Sequence, residues 1–121
     1  MKVKCIRQQT AGPGKKTEGW ISIGEEYNVL AIYIDAEAGI LLRLIADDNF
    51  TPALFPGDLF QVSSVAIPRN WIVIRDDKGT FRFSPKPWLE PGFWDKFFDR
   101  DPISIEVFER ERKIATEGGQ G

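Results

Sequence analysis

The stretch from Glu26 to Ala46 constrains the fold more than any other part of the chain. It reads EYNVLAIYID, then AEAG, then ILLRLIA. Two proline-free runs rich in β-branched, aromatic and leucine residues, joined by a short turn-prone link, are the signature of paired strands. In the first run Asn28, Leu30, Ile32 and Ile34 share one face, and Tyr27, Val29, Ala31 and Tyr33 share the other. In the second, Ile40, Leu42 and Leu44 oppose Leu41, Arg43 and Ile45. Both faces are largely apolar, so the hairpin is expected at the centre of a sheet, covered on both sides.

The flanking segments extend this pattern. Residues 2–8 read as a first strand, with Val3 and Cys5 inward and Lys2 and Lys4 outward. Residues 10–17 are a Gly-Pro-Gly loop. It is not a phosphate loop of the G-x-x-x-x-G-K-[ST] type. With Gly14-Lys15 as the G-K pair, Gln9 stands where the first glycine belongs and Lys16 where the hydroxyl belongs. Residues 20–24 form a short strand or a bend. Ala53–Phe55 and Leu59–Val62 read as short strands broken by Pro56-Gly57-Asp58. A second hairpin pairs Trp71–Arg75 with Thr80–Ser84 across an Asp-Asp-Lys-Gly turn, placing Phe81 and Phe83 on one face opposite Ile72 or Ile74.

After Pro85 the period changes from two to that of a helix. Phe93, Trp94, Phe97 and Phe98 recur at i, i+1, i+4 and i+5, with Glu90 as cap and Pro91 in the first turn. This aromatic stretch is expected to be mostly core. Asp101-Pro102 marks another helix start, with Asp101 as N-cap. That helix runs to about Ala115, with Ile103, Val107 and Ile114 as its apolar stripe. Glu106–Arg110 and Glu109–Lys113 are its favourable i,i+4 pairs. Strands first and helices last make an α+β domain: a curved antiparallel sheet, open or partly closed as a barrel, with two C-terminal helices. At 121 residues the chain is sized for a single domain, 1–121. Within it 1–84 is mainly β, 85–116 mainly α and 117–121 a flexible tail.

The chemistry is constrained by what is missing. The chain has no histidine and one cysteine, Cys5. That removes His-dependent acid–base and nucleophile systems and thiolate metal sites. Cys5 reads as a buried, reduced thiol. Asp47-Asp48-Asn49 invites a calcium reading, but Pro52 stands where an EF-hand loop needs glycine. Adjacent carboxylates on a turn point apart, which suits a turn better than acid–base work. No enzyme, metal or cofactor is expected. No apolar run approaches the ~20 residues of a membrane helix, and the N-terminus lacks the apolar core of a signal peptide. The expected location is cytoplasmic.

Charge is small in total, −2, but uneven. Residues 19–60 carry Arg43 against Glu25, Glu26, Asp35, Glu37, Asp47, Asp48 and Asp58. These carboxylates are the candidate partner-binding residues, with Tyr33, Tyr27 and Trp20 as candidate anchors. Gathered on one side of the sheet, they would attract a basic protein and repel nucleic acid. The other binding class is a small barrel-like module for nucleic acid or another ligand. It would use Arg75, Lys78, Arg82 and Lys86 around Trp71, Phe81 and Phe83.

Residues 87–102, PWLEPGFWDKFFDRDP, with ALFP at 53–56 and FQV at 60–62, carry a family likeness. From about Ile23 to Glu111 the chain resembles small bacterial immunity proteins of polymorphic toxin systems, of the contact-dependent growth-inhibition type. The resemblance implies a cytoplasmic, non-enzymatic antitoxin. Such a protein binds the toxin domain of its cognate effector, often a nuclease, 1:1 and blocks its active site or nucleic-acid surface.

Overall fold

The computed structural model describes residues 1–9 and 19–117. The Gly-Pro-Gly loop and residues 118–121 lie outside the described residues. The elements are β1 (Lys2–Cys5), β2 (Glu26–Asn28), β3 (Ala31–Asp35), β4 (Gly39–Ile45), β5 (Pro52–Pro56), β6 (Phe60–Ser64), β7 (Trp71–Arg75), β8 (Phe81–Pro85), α1 (Phe93–Phe98) and α2 (Pro102–Glu117). They form two antiparallel sheets, of three strands in the order β2-β1-β6 and five in the order β5-β4-β3-β8-β7. The fold is α+β, with strands first and helices last, and the two sheets do not close into a barrel.

The β3–β4 hairpin is central, paired from Ala31↔Arg43 to Asp35↔Gly39. Residues 26–35 are not one strand, however. The Val29 amide donates to the Met1 carbonyl at 2.9 Å and the Leu30 amide to the Arg43 carbonyl at 2.8 Å. Two consecutive amides thus bond to different sheets, and the run breaks between them. Val29, Leu30 and Ala31 are all buried, which a strand alternating between core and solvent does not allow. β1 also ends early, at Cys5, because the Ile6 and Arg7 amides both turn to the Leu59 carbonyl. Residues 20–24 are a bend, not a strand.

The five-stranded sheet has core on both faces. On one, Leu42, Leu44 and Phe55 pack with Val3, Cys5, Ile21, Leu59 and Phe60 beneath the smaller sheet. On the other, Ile45 packs with Leu30, Trp88, Phe93, Phe108 and Ala115 beneath the helices. Trp88 stacks on Phe108 with 5.2 Å between ring centroids, and Phe97 meets Phe108 at 4.7 Å. Each such pair adds ~0.5–1.5 kcal/mol beyond burial. The aromatic stretch is mostly core, as its spacing predicts, except for exposed Phe98.

Four local expectations are corrected. The Asp76 amide bonds the Thr80 carbonyl at 3.0 Å. The register this sets pairs Val73↔Phe83 and Arg75↔Phe81, leaving Ile72 and Ile74 on the opposite face. Glu90 does not cap α1 with its side chain, and Pro91 lies ahead of the helix. Lys86–Leu89 instead turns as a 3-10 helix, and the Glu90 carbonyl accepts from the Phe93 amide at 3.0 Å. In α2 the buried positions are Ser104, Phe108, Glu111 and Ala115. Docking of Phe108 on Trp88 rotates Ile103 outward, to 72% exposure. The α2 ion pairs are Glu109–Arg112 and Arg110–Glu111, both at 3.1 Å, in place of the expected i,i+4 pairs. For the exposed Glu109–Arg112 pair the alternatives differ by only tenths of a kcal/mol, so sequence spacing does not select between them, while Arg110 pairs with Glu111, which is buried.

Asp101 joins the helices as expected. Its carboxylate accepts from the Ser104 amide at 3.0 Å and the Ser104 hydroxyl at 2.8 Å, capping α2. Its own amide donates to the Lys96 carbonyl, and that of Arg100 to Phe97, both at 3.0 Å. Those two bonds are a Schellman closure of α1.

Candidate functional site

The three strands of the smaller sheet, three to five residues long, are too short to cover the larger one. Burial along one face of β4 falls from Leu44 through Leu42 to Ile40, so the sheets part toward the β3–β4 turn. Between them opens an apolar cleft of about 720 Å3, within the ~300–1,000 Å3 typical of binding clefts. Val3, Phe60 and Val62 form one wall, and Ile32, Ile34, Ile40 and Leu42 the other. Pro56, Gly57 and Asp58 lie at its edge. A Cβ on Gly57 would stand 3.0 Å from Ile40 Cγ2, so glycine permits this close approach of backbone to β4. Asp58 is the one charged side chain of the lining among the described residues, and Met1, which carries the α-amino group, also lines it. Ile34, Ile40 and Val62 are exposed at the mouth, and Phe81 and Val73 continue the same sheet face into solvent.

The candidate carboxylates divide between the two ends of the hairpin and the edge of the smaller sheet. Asp35, Glu37 and Asp58 belong to the cleft end: Asp58 lines the cleft with Ala38 and Gly39, the residues that follow Glu37. Asp47 and Asp48 lie at the far end of β4, about 20 Å away for a seven-residue strand. Glu26 opens β2, on the outer edge of the smaller sheet, and Glu25 precedes it. The seven therefore do not form one continuous face.

Several carboxylates are engaged in holding turns. Asp35 accepts from the Glu37 and Ala38 amides at 3.0 and 2.7 Å, and from Thr80 Oγ1 at 2.9 Å. The Ala38 amide is the largest reason its carboxyl titrates below the usual range. Asp48 binds Phe50 and Thr51 in the same manner, and the Thr51 hydroxyl leads in lowering its pKa. Asp47 accepts from Ser22 Oγ at 2.5 Å and from the Tyr27 hydroxyl at 2.6 Å. Burial first, then Asp47, pushes the Tyr27 phenol up to about 12. Trp20 is exposed at this end, and its carbonyl accepts from the Asp47 amide. Glu37, Asp58, Glu25 and Glu26 are exposed.

Tyr33 points away from the cleft, toward the helices. It meets Arg43, which sequence reasoning did not single out. The Arg43 guanidinium lies 3.8 Å from the centroid of Trp94 and 5.6 Å from that of Tyr33. Arg43 Nη1 donates to the Pro52 carbonyl at 2.8 Å. It is buried, and among the described residues it forms no ion pair, so desolvation lowers its pKa. Cys5 is buried and donates to the Arg7 carbonyl at 3.3 Å; burial raises its thiol pKa. Among the described residues no three His, Cys, Asp or Glu side chains are grouped to hold a metal ion. No described helix is long and apolar enough to cross a membrane.

The arrangement can bind an apolar group beside a cation. Comparison with protein-family models, curated proteins and solved structures finds nothing that matches the chain.

Proposed function

We propose that this chain is a cytoplasmic immunity protein that neutralises a cognate bacterial toxin domain by stoichiometric, 1:1 binding. The observation that carries the reading is the half-covered apolar cleft whose one charged side chain, among the described residues, is a carboxylate, Asp58. A nuclease toxin presents a basic surface for phosphate. Aliphatic or aromatic side chains from such a surface enter the cleft while their cationic neighbours meet Asp58 and Glu37. That combines an anchor in a pocket with charge steering. A tight complex needs ~1,600 Å2 of buried surface. The exposed face from Val62 across Ile40 and Ile34 to Phe81 forms a contiguous apolar centre for it. The toxin itself is supplied by the family resemblance of residues 23–111.

The test is co-expression with the toxin domain encoded immediately upstream, followed by size exclusion and a growth assay. A stable 1:1 complex with rescue of growth is expected. Separate proteins and no rescue would overturn the reading.

One observation favours a second reading, single-stranded nucleic-acid binding. Exposed Phe81 has the Arg75 guanidinium 5.7 Å from its ring centroid. Arg82, by contrast, is held by Asp76 at 3.0 Å. Retention on single-stranded DNA that weakens with salt would support this reading, and no retention at low salt would remove it.

A further inference from the structure

The helices and the β4–β5 turn meet at a second pocket, of about 270 Å3. Its chemistry is opposite to that of the cleft. Phe50 and Phe98 border it at 63% and 52% exposure. The Arg100 guanidinium lies 5.7 Å from the Phe50 ring centroid. Arg112, also at the pocket, is held by Glu109 at 3.1 Å. Arg100 forms no ion pair among the described residues.

The backbone adds a separate observation. Arg100 is the residue just past the end of α1, at φ 65°. In a Schellman closure that position is filled with least strain by glycine. Among the described residues the only other non-glycine at positive φ is Asn49, at 60°, on the turn across the same pocket. The fold would be served at least as well by glycine at position 100. An arginine held there in a left-handed conformation places its guanidinium at the pocket, and strain of this kind concentrates at binding sites.

We propose that this pocket docks a protein segment presenting a carboxylate beside an aromatic or large aliphatic side chain. The carboxylate takes the paired N–H donors of Arg100, and its apolar neighbour packs on Phe50 and Phe98. One unpaired guanidinium matches one carboxylate. A nucleic-acid strand needs a row of unpaired cations along its phosphates, and Glu109 opposes it here. The inference does not depend on the toxin reading, since it rests on different elements and the opposite charge.

The test is NMR titration of the isotope-labelled full chain with three probes: N-acetylphenylalanine, its neutral amide and oligothymidylate. The acid is expected to shift backbone signals of residues 49–51 and 98–101, and to bind roughly tenfold or more tightly than the amide. Arg100→Gly should erase that preference while its thermal midpoint stays level or rises. Arg100→Lys should retain part of it. Three results would overturn the proposal: equal or absent binding of acid and amide, stronger shifts of these signals by oligothymidylate, or a lowered midpoint for Arg100→Gly. The last would mean that the arginine is there for the fold.

Discussion

Ile40 and Leu42 stand two residues apart on the same face of β4, yet Ile40 is 51% exposed and Leu42 only 6%. The difference follows from the divergence of the two sheets, and it can be measured as stability. Full burial of an aliphatic side chain contributes ~1.5–3 kcal/mol. Ile40 gains about half of that, so Ile40→Ser should cost roughly 1 kcal/mol. Leu42 lies in the packed core, where Leu→Ala removes transfer energy and leaves a cavity, at ~2–5 kcal/mol. In a domain of this size 1 kcal/mol corresponds to ~3–5 °C of midpoint. Ile40→Ser should therefore unfold a few degrees below the parent chain, and Leu42→Ala ~6–25 °C below it. Urea titration with an unchanged m-value would confirm that both read native-state stability. Under the proposed immunity function, toxin binding should show the reverse order, with Ile40→Ser weakening the complex ~10-fold or more as a lost anchor does. Were Ile40→Ser to cost as much as Leu42→Ala, the sheets would be closed over Ile40 in solution, and the reasoning from an open cleft would fail.

Three further outcomes are expected. Folding holds the Tyr27 phenol neutral, with its pKa raised from 10.0 to about 12 by burial and by Asp47. The stabilisation is complete below pH 10 and is lost as pH rises toward 12, so Tyr27→Phe, which removes this titration, should flatten the alkaline limb of the stability curve. An unchanged alkaline limb would refute that. Asp35, Asp48, Asp76 and Asp101 all titrate below the usual carboxylate range, each because turn or cap donors bind the charged form. Their contribution is present above the ordinary carboxylate pKa and lost as pH falls through the lowered values. Replacing Asp101 by Asn should flatten the acid limb of the stability curve, and an unchanged limb would show that this carboxylate contributes nothing there. The buried Cys5 thiol should react with an aromatic disulfide reagent only at the rate of unfolding, and fast labelling of the native chain would contradict its burial.

Much of the fold was legible because periodicity reports which side chains share a face. The central hairpin, the second hairpin, the inward Val3 and Cys5, the aromatic core around Trp88 and the Asp101 cap all follow from local pattern and capping chemistry. The candidate site was legible only in part. Asp58 and Glu37 were marked by charge, but so were Asp47 and Asp48, which β4 carries to the other end of the hairpin. Alternation puts Arg43 on a covered face with Leu41 and Ile45, and only the aromatic ring of Trp94, fifty-one residues later in sequence, shows what a buried cation meets there.

The sequence by itself determined the strands, the turns and the order of β before α, since these depend on neighbours within a few residues. Tertiary structure alone decided the break at Val29–Leu30, the rotation of α2 and the extent of the smaller sheet. It also decided that Ile34, Ile40 and Phe81 stand uncovered and that Arg100 meets Phe50. The physical reason is the same in each case. Alternation gives the direction in which a side chain points, and burial depends on whether a second layer, distant in sequence, is long enough to reach it.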